Sequence, residues 1–399
     1  MTPRQRNLLL AFAALGLGAS VISSYVHYQL LTVPSYNSFC DVNPTVSCTQ
    51  AYLSRYGSFM GVPVAVGGVI FFTIAALLAG VAGRPASPAR ENAAGYIFAL
   101  STVGLAFALY LAWASYVVLK VFCILCAITY VSVIALFIVS GGAMTFPMMT
   151  LPRRAARDLQ TLVSSPVALV LLLAIVAGSG ALIASFPDEA SARAAQAQEA
   201  ATYQPLPAAE RDQLEAWWNV QPLENLPVVP SAGTKVLVVK FSDYMCPSCG
   251  AAHQALKPVL ARHQGHGVEF VMKHYPLEPE CNIHTPGMNH YGSCEAAAAY
   301  EMAKGTPNLA KLDDWFFDNQ QALTKDVVRQ AALEHAGIND FDARYDEALK
   351  AVRADVGLGA LMKVTSTPTI FINGRRIPGG AYPPAVYDGI IEIELAKAK

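Results

Sequence analysis

Residues 7–40, 56–83, 92–119, 121–152 and 159–187 form windows without a single Asp, Glu, Lys or Arg. Each can supply the roughly 20 apolar residues that cross a bilayer core at about 1.5 Å per residue. The pattern predicts five membrane-spanning helices, near 8–31, 61–82, 95–118, 121–141 and 166–186. The first is read as a membrane helix and not a cleaved leader, because its apolar run is long and no small-x-small cleavage site follows it. After Pro187 the pattern changes. "DEASARAAQAQEAATYQPLPAAE" lacks strand alternation and reads as a partly helical connector. "KVLVVKFSDYMCPSCGAAHQALKPVL" then reads as strand, turn and helix, and "GVEFVMKHYPLE" as a second strand. Helical pattern fills 295 to about 362, and "VTSTPTIFINGRRIPGG" reads as a strand and hairpin. The expected domains are a four-helix membrane domain (1–145), a loop and fifth membrane helix (146–187), a linker (188–230) and an α/β domain (231–399).

Composition agrees with this division. Hydrophobic residues make up 54% of the 399 and charged residues 14%, where soluble domains carry about a quarter charged. Residues 1–187 hold nine Lys and Arg and three acids, whereas the remainder holds nineteen and twenty-six. Arg4 and Arg6, then Arg84 and Arg90, then Arg153, Arg154 and Arg157 alternate with flanks offering only Arg55 and Lys120. Basic short loops stay in the cytoplasm, so the N-terminus is expected inside and everything beyond Phe186 outside. No basic run suited to nucleic acid and no phosphate loop occurs, and a nucleic-acid partner is not expected.

This topology puts all eight cysteines on the external side, where disulfides persist. Cys40 and Cys48 fall in the first external loop, and Cys123 and Cys126 at the external end of the fourth helix. Cys246, Cys249, Cys281 and Cys294 lie in the tail. Cys246-Pro247-Ser248-Cys249 follows a strand and opens a helix, the thioredoxin-like arrangement, in which the helix N-terminus favours the thiolate of the first cysteine. Cys246 is therefore expected to attack and Cys249 to resolve. Pro368, after Thr367, stands where such folds place a cis-proline that guides an extended client peptide, and the helical insertion over 295 to about 362 is that of a DsbA-like variant. "CNIHTPGMNHYGSC" admits three readings: a structural Cys281–Cys294 disulfide, a further redox pair, or a zinc set with His284 and His290. The disulfide is the expected one, and no metal is expected. Lys240 and Asp243 flank the tail pair, and the sequence does not choose between them as proton carrier. His27, His253 and His335 read as surface or packing residues.

Taken together, "CDVNPTVSCTQAYLSRYG", "GVPVAVGG" and "CILCAITY" resemble the vitamin K epoxide reductase family over roughly residues 8–141. The family's loop cysteines match Cys40 and Cys48, its hydroxyl residue Ser54, its membrane Cys-x-x-C Cys123 and Cys126, and its Thr-Tyr pair Thr129 and Tyr130. A fifth helix feeding a thioredoxin-like domain is similar to bacterial fusion members. The resemblance implies that Cys40 exchanges with the tail, that Cys126 attacks the quinone, and that Ser54 and Tyr130 hydrogen-bond its oxygens. Animal members place an asparagine on the second helix at the quinone head group, but "GVPVAVGGVIFF" has none, which argues against vitamin K epoxide as substrate. Ser248 also stands where the strongest DsbA-type oxidants carry histidine, implying a milder oxidant.

The expected function is quinone-dependent formation of disulfides in exported proteins that carry reduced cysteines. Electrons would run from client to Cys246/Cys249, Cys48/Cys40, Cys126/Cys123 and a membrane quinone of ubiquinone or menaquinone type. A dithiol and a lipid-soluble two-electron acceptor must meet within the bilayer near its surface, which accounts for thiols in an apolar helix. The expected site is the bacterial inner membrane, with the thioredoxin-like domain extracytoplasmic. The alternative is a quinone or epoxide reductase that uses the tail only as electron donor.

Overall fold

The computed structural model describes residues 1–33, 36, 38–41, 46–82, 90–119, 121–187, 189–285, 290–379 and 381–398. Arg84 and Lys120, used above for orientation, and residues 42–45 of the loop motif lie outside the described residues. The chain divides into two compact units: Met1–Gln29, Val46–Val118 and Phe122–Asp188 form one, and Leu30–Thr45, Leu119–Val121 and Glu189–Lys399 the other.

The first unit is helical. It contains α1 (Pro3–Thr32), a one-turn α2 (Cys48–Tyr52), a small hairpin of β1 (Ser58–Phe59) and β2 (Val62–Pro63), α3 (Val64–Val81), α4 (Ala93–Trp113), α5 (Ile124–Ala143), α6 (Leu151–Ser164) and α7 (Pro166–Ala184). A π turn at Ala114–Val118 extends α4. Among the described residues four helices are long and apolar enough to cross a membrane: Pro3–Thr32, Val64–Val81, Ala93–Val118 and Ile124–Ala143. A shorter apolar helix covers Leu169–Ala184. The chain is a membrane protein. Leu9, Phe72, Ile97, Val133 and Leu136 meet in the core of the bundle, while Leu109, Val131, Ile138 and Leu173 point outward and exposed. Apolar side chains on the outer surface suit lipid, which is as apolar as leucine. Gly104 lets α4 approach its neighbours: a Cβ there would stand 2.7 Å from the Phe71 ring.

Two expectations about this unit change. The fourth membrane helix does not begin at 121. Phe122 bridges to Val46, and its carbonyl accepts from the Ser47 N–H at 3.2 Å, so Val121–Cys123 stay extended and the helix starts at Ile124. The expected loop after 145 contains α6. Its inner positions Leu151, Arg154, Ala155 and Asp158 follow helical spacing. Asp158 accepts from the Asn92 amide at 2.9 Å and from the Tyr96 hydroxyl at 2.7 Å, and Arg154 lies 4.2 Å over the Phe146 ring.

The second unit is a thioredoxin-like α/β domain. α8 (Glu189–Ala201) and α9 (Ala208–Asn219) precede β3 (Val236–Ser242), α10 (Pro247–Arg262) and β4 (Val268–His274). The helical insertion follows as α11 (Ser293–Ala303), α12 (Leu309–Asp318), α13 (Lys325–Ala336) and α14 (Phe341–Leu361), before β5 (Thr369–Ile372), β6 (Arg375–Ile377) and α15 (Pro384–Lys397). The sheet order is β4-β3-β5-β6, with β3 and β4 parallel and the other pairings antiparallel. β3 is buried on both faces. Val236 and Val238 enter one core with Leu256, Ile370 and Tyr387, and Leu237, Val239 and Phe241 enter another with Tyr275 and Phe371. This period-two division explains why the strand reads as a continuous apolar run. The insertion forms a third core that includes Cys246, Cys249, Cys281 and Cys294.

Part of the expected linker belongs to this fold. Trp218 of α9 is fully buried and donates its indole N–H to Glu394 at 2.8 Å. Farther along, the Glu224 N–H bonds the Gly374 carbonyl at 2.8 Å, and its carboxylate takes a fork of bonds from Arg376 at 2.9 and 3.0 Å. The sequence hid this because the apolar residues that dock, such as Leu214, Trp218, Leu226 and Val228, are spaced among polar residues and prolines without strand alternation. Trp218→Ala is expected to cost about 3–5 kcal/mol and to lower the urea concentration at which the tail becomes protease-sensitive. An unchanged midpoint would place Trp218 outside the cooperative core.

Candidate redox centres

Cys246 is the N-cap of α10, in extended conformation, with Pro247 at the first helical position. Proline suits that position because its missing N–H has no intrahelical partner. Both cysteines are free thiols, Cys246 5% exposed and Cys249 0%. The Cys246 thiol donates to the Thr367 carbonyl at 3.2 Å, and the Thr367–Pro368 peptide is cis. Cys249 lies beneath, its sulfur accepting from the Asp243 N–H at 3.4 Å. Lys240, fully buried on β3, donates to the Cys249 carbonyl at 3.2 Å and packs 4.4 Å over the Phe317 ring.

Within the pair the surroundings favour ionisation of the deeper sulfur. Burial opposes ionisation of Cys249, but the bond from Cys246, the Lys240 ammonium and the Asp243 N–H outweigh it and bring its thiol down to about 7. Cys246 is held well up by its bond to Cys249 first and by burial second. Lys240 acts on the pair from below, in addition to the helix start at Cys246.

Asp243 organises the turn. Its carboxylate accepts from the N–H groups of Met245 (2.6 Å), Cys246 (3.1 Å) and Leu277 (2.5 Å) and from the Ser293 hydroxyl (2.8 Å), and it pairs with His290 at 3.0 Å. Burial alone would raise its pKa, yet the His290 charge and these bonds hold it below the usual carboxylate range. Burial pulls His290 down, and the Asp243 carboxylate more than reverses that. Gln320 of the insertion donates to the Tyr244 and Cys246 carbonyls at 2.6 and 2.8 Å.

Cys281 and Cys294 form a disulfide. The zinc alternative is not assembled, since its two thiolates are bonded to each other and His290 faces Asp243. Two other groups, His274 with Glu301 and Asp355, and Glu278 with Glu280 and Glu295, bring ligand atoms within 4.8 Å. Lys273 and Lys304 neutralise the first, and Lys325 stands 3.0 Å from Glu295 in the second. His253, expected to be an ordinary side chain, stacks 4.4 Å from Phe317 and pairs with Asp314 at 2.8 Å.

In the first unit Cys123 is the N-cap of α5, and its sulfur accepts from the Cys126 N–H at 3.2 Å. Cys123 and Cys126 form a disulfide, and the Cys48 sulfur lies 3.8 Å from that of Cys123. Cys48 reaches this place because Ser47 caps α2 by accepting from the Gln50 N–H at 3.1 Å. Cys40 and Cys48 are both in the disulfide form, and Cys40 is buried with its sulfur 3.1 Å from the Ser38 hydroxyl. Tyr130 lies one turn beyond Cys126 and packs on the bundle core. Ser54 donates to the Ala51 carbonyl at 2.8 Å, so its hydroxyl is engaged locally. Tyr52 was not singled out from sequence. Its hydroxyl is 3.7 Å from the Cys123 sulfur and donates to Ser23 at 2.8 Å, with His27 stacked on its ring. Its position four residues after Cys48, on the same helical face, was the available signal.

The family model "Vitamin K epoxide reductase family" matches residues 7–141, and the model "Thioredoxin" matches residues 227–392. Over 137 residues the chain is 31% identical to vitamin K epoxide reductase complex subunit 1 of Rattus norvegicus, covering 31% of this chain and 81% of that protein. The chain belongs to the vitamin K epoxide reductase family and carries a thioredoxin-like domain after the family's membrane bundle. It is also 32% identical over 149 residues to Na(+)/H(+) antiporter NhaA 1 of Mycobacterium sp. (strain KMS), covering 36% of this chain and 23% of that protein. It thus spans about a quarter of the length of such relatives. The structure is similar to that of oxidised BdbD from Bacillus subtilis, with TM-score 0.35 and 25% identity, covering 45% of this chain and 97% of that one.

The His290–Asp243 pair makes stability pH-dependent. With its pKa raised, His290 contributes stability that is complete below about 6.5 and lost as pH rises through the folded value. Asp243, lowered, contributes above about 3.9 and loses its share as pH falls. With the tail pair oxidised, His290→Gln is expected to flatten the decline in melting temperature of the full chain between about pH 6 and 9. An equal decline in the variant would assign it to other groups.

Proposed function

We propose that the chain is a thiol-disulfide oxidoreductase that forms disulfides in exported proteins and passes the electrons to a membrane quinone. The observation that carries this reading is the cluster of three sulfurs in the membrane unit, with Cys48 3.8 Å from Cys123 and Cys123 bonded to Cys126. A thiolate on Cys48 is placed to attack Cys123 and release Cys126, which is thiol-disulfide exchange through a mixed disulfide.

The tail is the entry point. A client thiolate attacks Cys246 of the oxidised pair, Cys249 leaves, and a second client thiol closes the client disulfide. The reduced tail then exchanges with Cys40, Cys48 carries the electrons to Cys123, and Cys126 faces the quinone. Each turnover moves two electrons and two protons from two client thiols to one quinone, giving a disulfide and a quinol. Tyr130, one turn beyond Cys126, is the proposed hydrogen-bond donor to a quinone oxygen, and Ser54 joins it by releasing the Ala51 carbonyl. Thr367 and Pro368, against Cys246, form the client-binding edge. The quinone is of the ubiquinone or menaquinone type. The alternation of basic loops supports a bacterial inner-membrane location, with the N-terminus cytoplasmic and the thioredoxin-like domain outside.

The test is quinone reduction by the purified full chain in detergent, with a reduced unfolded protein as sole electron donor. Wild type is expected to turn over, and Cys246→Ala, Cys48→Ala and Cys126→Ala each to fall to the no-enzyme background. Wild-type rates in Cys246→Ala would remove the tail from the path. Turnover driven by a small dithiol but never by client thiols would make the protein a reductase that uses the tail only as donor.

A further inference from the structure

A fully buried lysine beneath a cysteine pair is costly unless an anion compensates it. Lys240 has limited help. Its ammonium donates to the Cys249 carbonyl at 3.2 Å and lies over the Phe317 ring at 4.4 Å, both of which offer partial charge only. Burial lowers its pKa, and the groups that face it and oppose that loss of charge are Cys249 and Cys246 from the start of α10 and Asp313 from α12. Asp313 is shared, since it accepts from the Tyr244 hydroxyl at 2.5 Å and lies 3.7 Å from His253. Asp243, the other nearby carboxylate, is taken up by His290 and the turn. The anion left for Lys240 is the thiolate of the reduced pair.

We propose that Lys240 is a positioning residue that holds Cys249 as the leaving thiolate and thereby makes the Cys246–Cys249 disulfide a stronger oxidant. This rests on the tail pair being redox-active, as argued above. When a client thiolate attacks Cys246, the Cys246–Cys249 bond breaks as the client–Cys246 bond forms, and the electron pair leaves on Cys249 beside the ammonium. The second client thiol, its proton already lost to solvent, then displaces Cys246 as a thiolate, and the reduced pair takes up one proton from solvent. The client is oxidised and the pair reduced, with one proton shared by Cys246 and Cys249 and one negative charge beside Lys240. In the oxidised pair Lys240 has lost its anion, so the charge favours the reduced form. A better leaving thiolate also departs faster. Lys240 therefore supplies from below the cation that Ser248 cannot supply from between the cysteines. The lowered Cys249 thiol accords with this geometry.

The test equilibrates the full chain with glutathione buffers and reads the Cys246 and Cys249 redox state by peptide mass spectrometry. Lys240→Met, which keeps the stem and removes the charge, is expected to lower the equilibrium constant for reduction at least about tenfold, or about 30 mV at 29.6 mV per decade. The pH at which the slope of that constant breaks should move upward from about 7. Asp313→Asn removes a competing anion and should shift both quantities the opposite way. A folded Lys240→Met, judged by its melting temperature, with an unchanged constant and pH break overturns the proposal. If Lys240→Met does not fold, Asp313→Asn decides, and no shift or a shift in the same direction as loss of oxidising power overturns it. None of these readouts involves quinone, so the relay and the lysine can fail separately.

Discussion

Both Cys-x-x-C pairs depend on one geometric constraint: the first cysteine must stand at the helix N-cap and the second one turn inside. Cys123 (φ −100°, ψ 115°) and Cys246 (φ −79°, ψ 117°) are both extended caps. The extended cap folds the first side chain over the first turn, toward the sulfur three residues on. The Cα atoms of Cys123 and Cys126 are then 5.2 Å apart, within the range a disulfide spans. The cap also aims unpaired N–H groups and the positive helix end at the sulfurs. In each unit the rest of the fold supports this junction. Phe122 bridged to Val46 holds the segment before α5 extended, and Asp243 holds the turn before α10.

The two junctions meet different solvents, and their supporting groups differ accordingly. In the tail, charge is brought in and neutralised in place: Asp243 by His290, Lys240 by the thiolate, and Asp314 by His253 and Lys257. Such pairs are tolerated in a protein interior when hydrogen bonds satisfy the remaining atoms. Around Cys123 and Cys126 the chain has no Asp, Glu, Lys or Arg from 121 to 152. The sulfurs there have the Cys126 N–H, the Tyr52 hydroxyl and the Cys48 sulfur. A bilayer does not permit the tail's solution, because an ionised side chain there costs several kcal/mol, about 2.5–3.5 on insertion scales.

Much of this was legible in the sequence because the governing signals are local. Windows without charge located the four spanning-length helices and the shorter fifth, period-two burial of β3 gave an apolar run, and cysteine spacing located the two helix-start Cys-x-x-C turns. What was missed depends on contacts between distant segments. The fourth membrane helix began later than its apolar run because of a bridge to Val46, 76 positions earlier in the chain. α6 was hidden because its inner face carries Arg154 and Asp158, whose partners Asn92 and Tyr96 lie on another helix. His290 looked like a metal ligand because it stands between two cysteines. Its partner Asp243 lies far away in sequence, and no spacing rule connects them. The effect of Lys240 on Cys249 was likewise invisible, since a lysine in a strand ordinarily reaches solvent.

The contrast between the junctions bears on the direction of electron flow. Exchange proceeds toward the disulfide whose reduced form is better stabilised, and its rate depends on the thiolate that leaves. In the proposed tail reaction the leaving sulfur, Cys249, has the Asp243 N–H beside it and Lys240 bonded to its carbonyl, which favours taking electrons from client thiols. From 121 to 152 the segment carries no side-chain cation, and among the described contacts a thiolate at Cys123 has the Cys126 N–H and the Tyr52 hydroxyl to stabilise it. By that rule the tail is the better electron holder of the two, so transfer from the tail into the membrane pair runs uphill unless the membrane pair is kept oxidised. In the proposed relay a lipid-soluble acceptor supplies that pull, because each removal of electrons at the membrane end leaves a disulfide there that can draw the next pair from the tail.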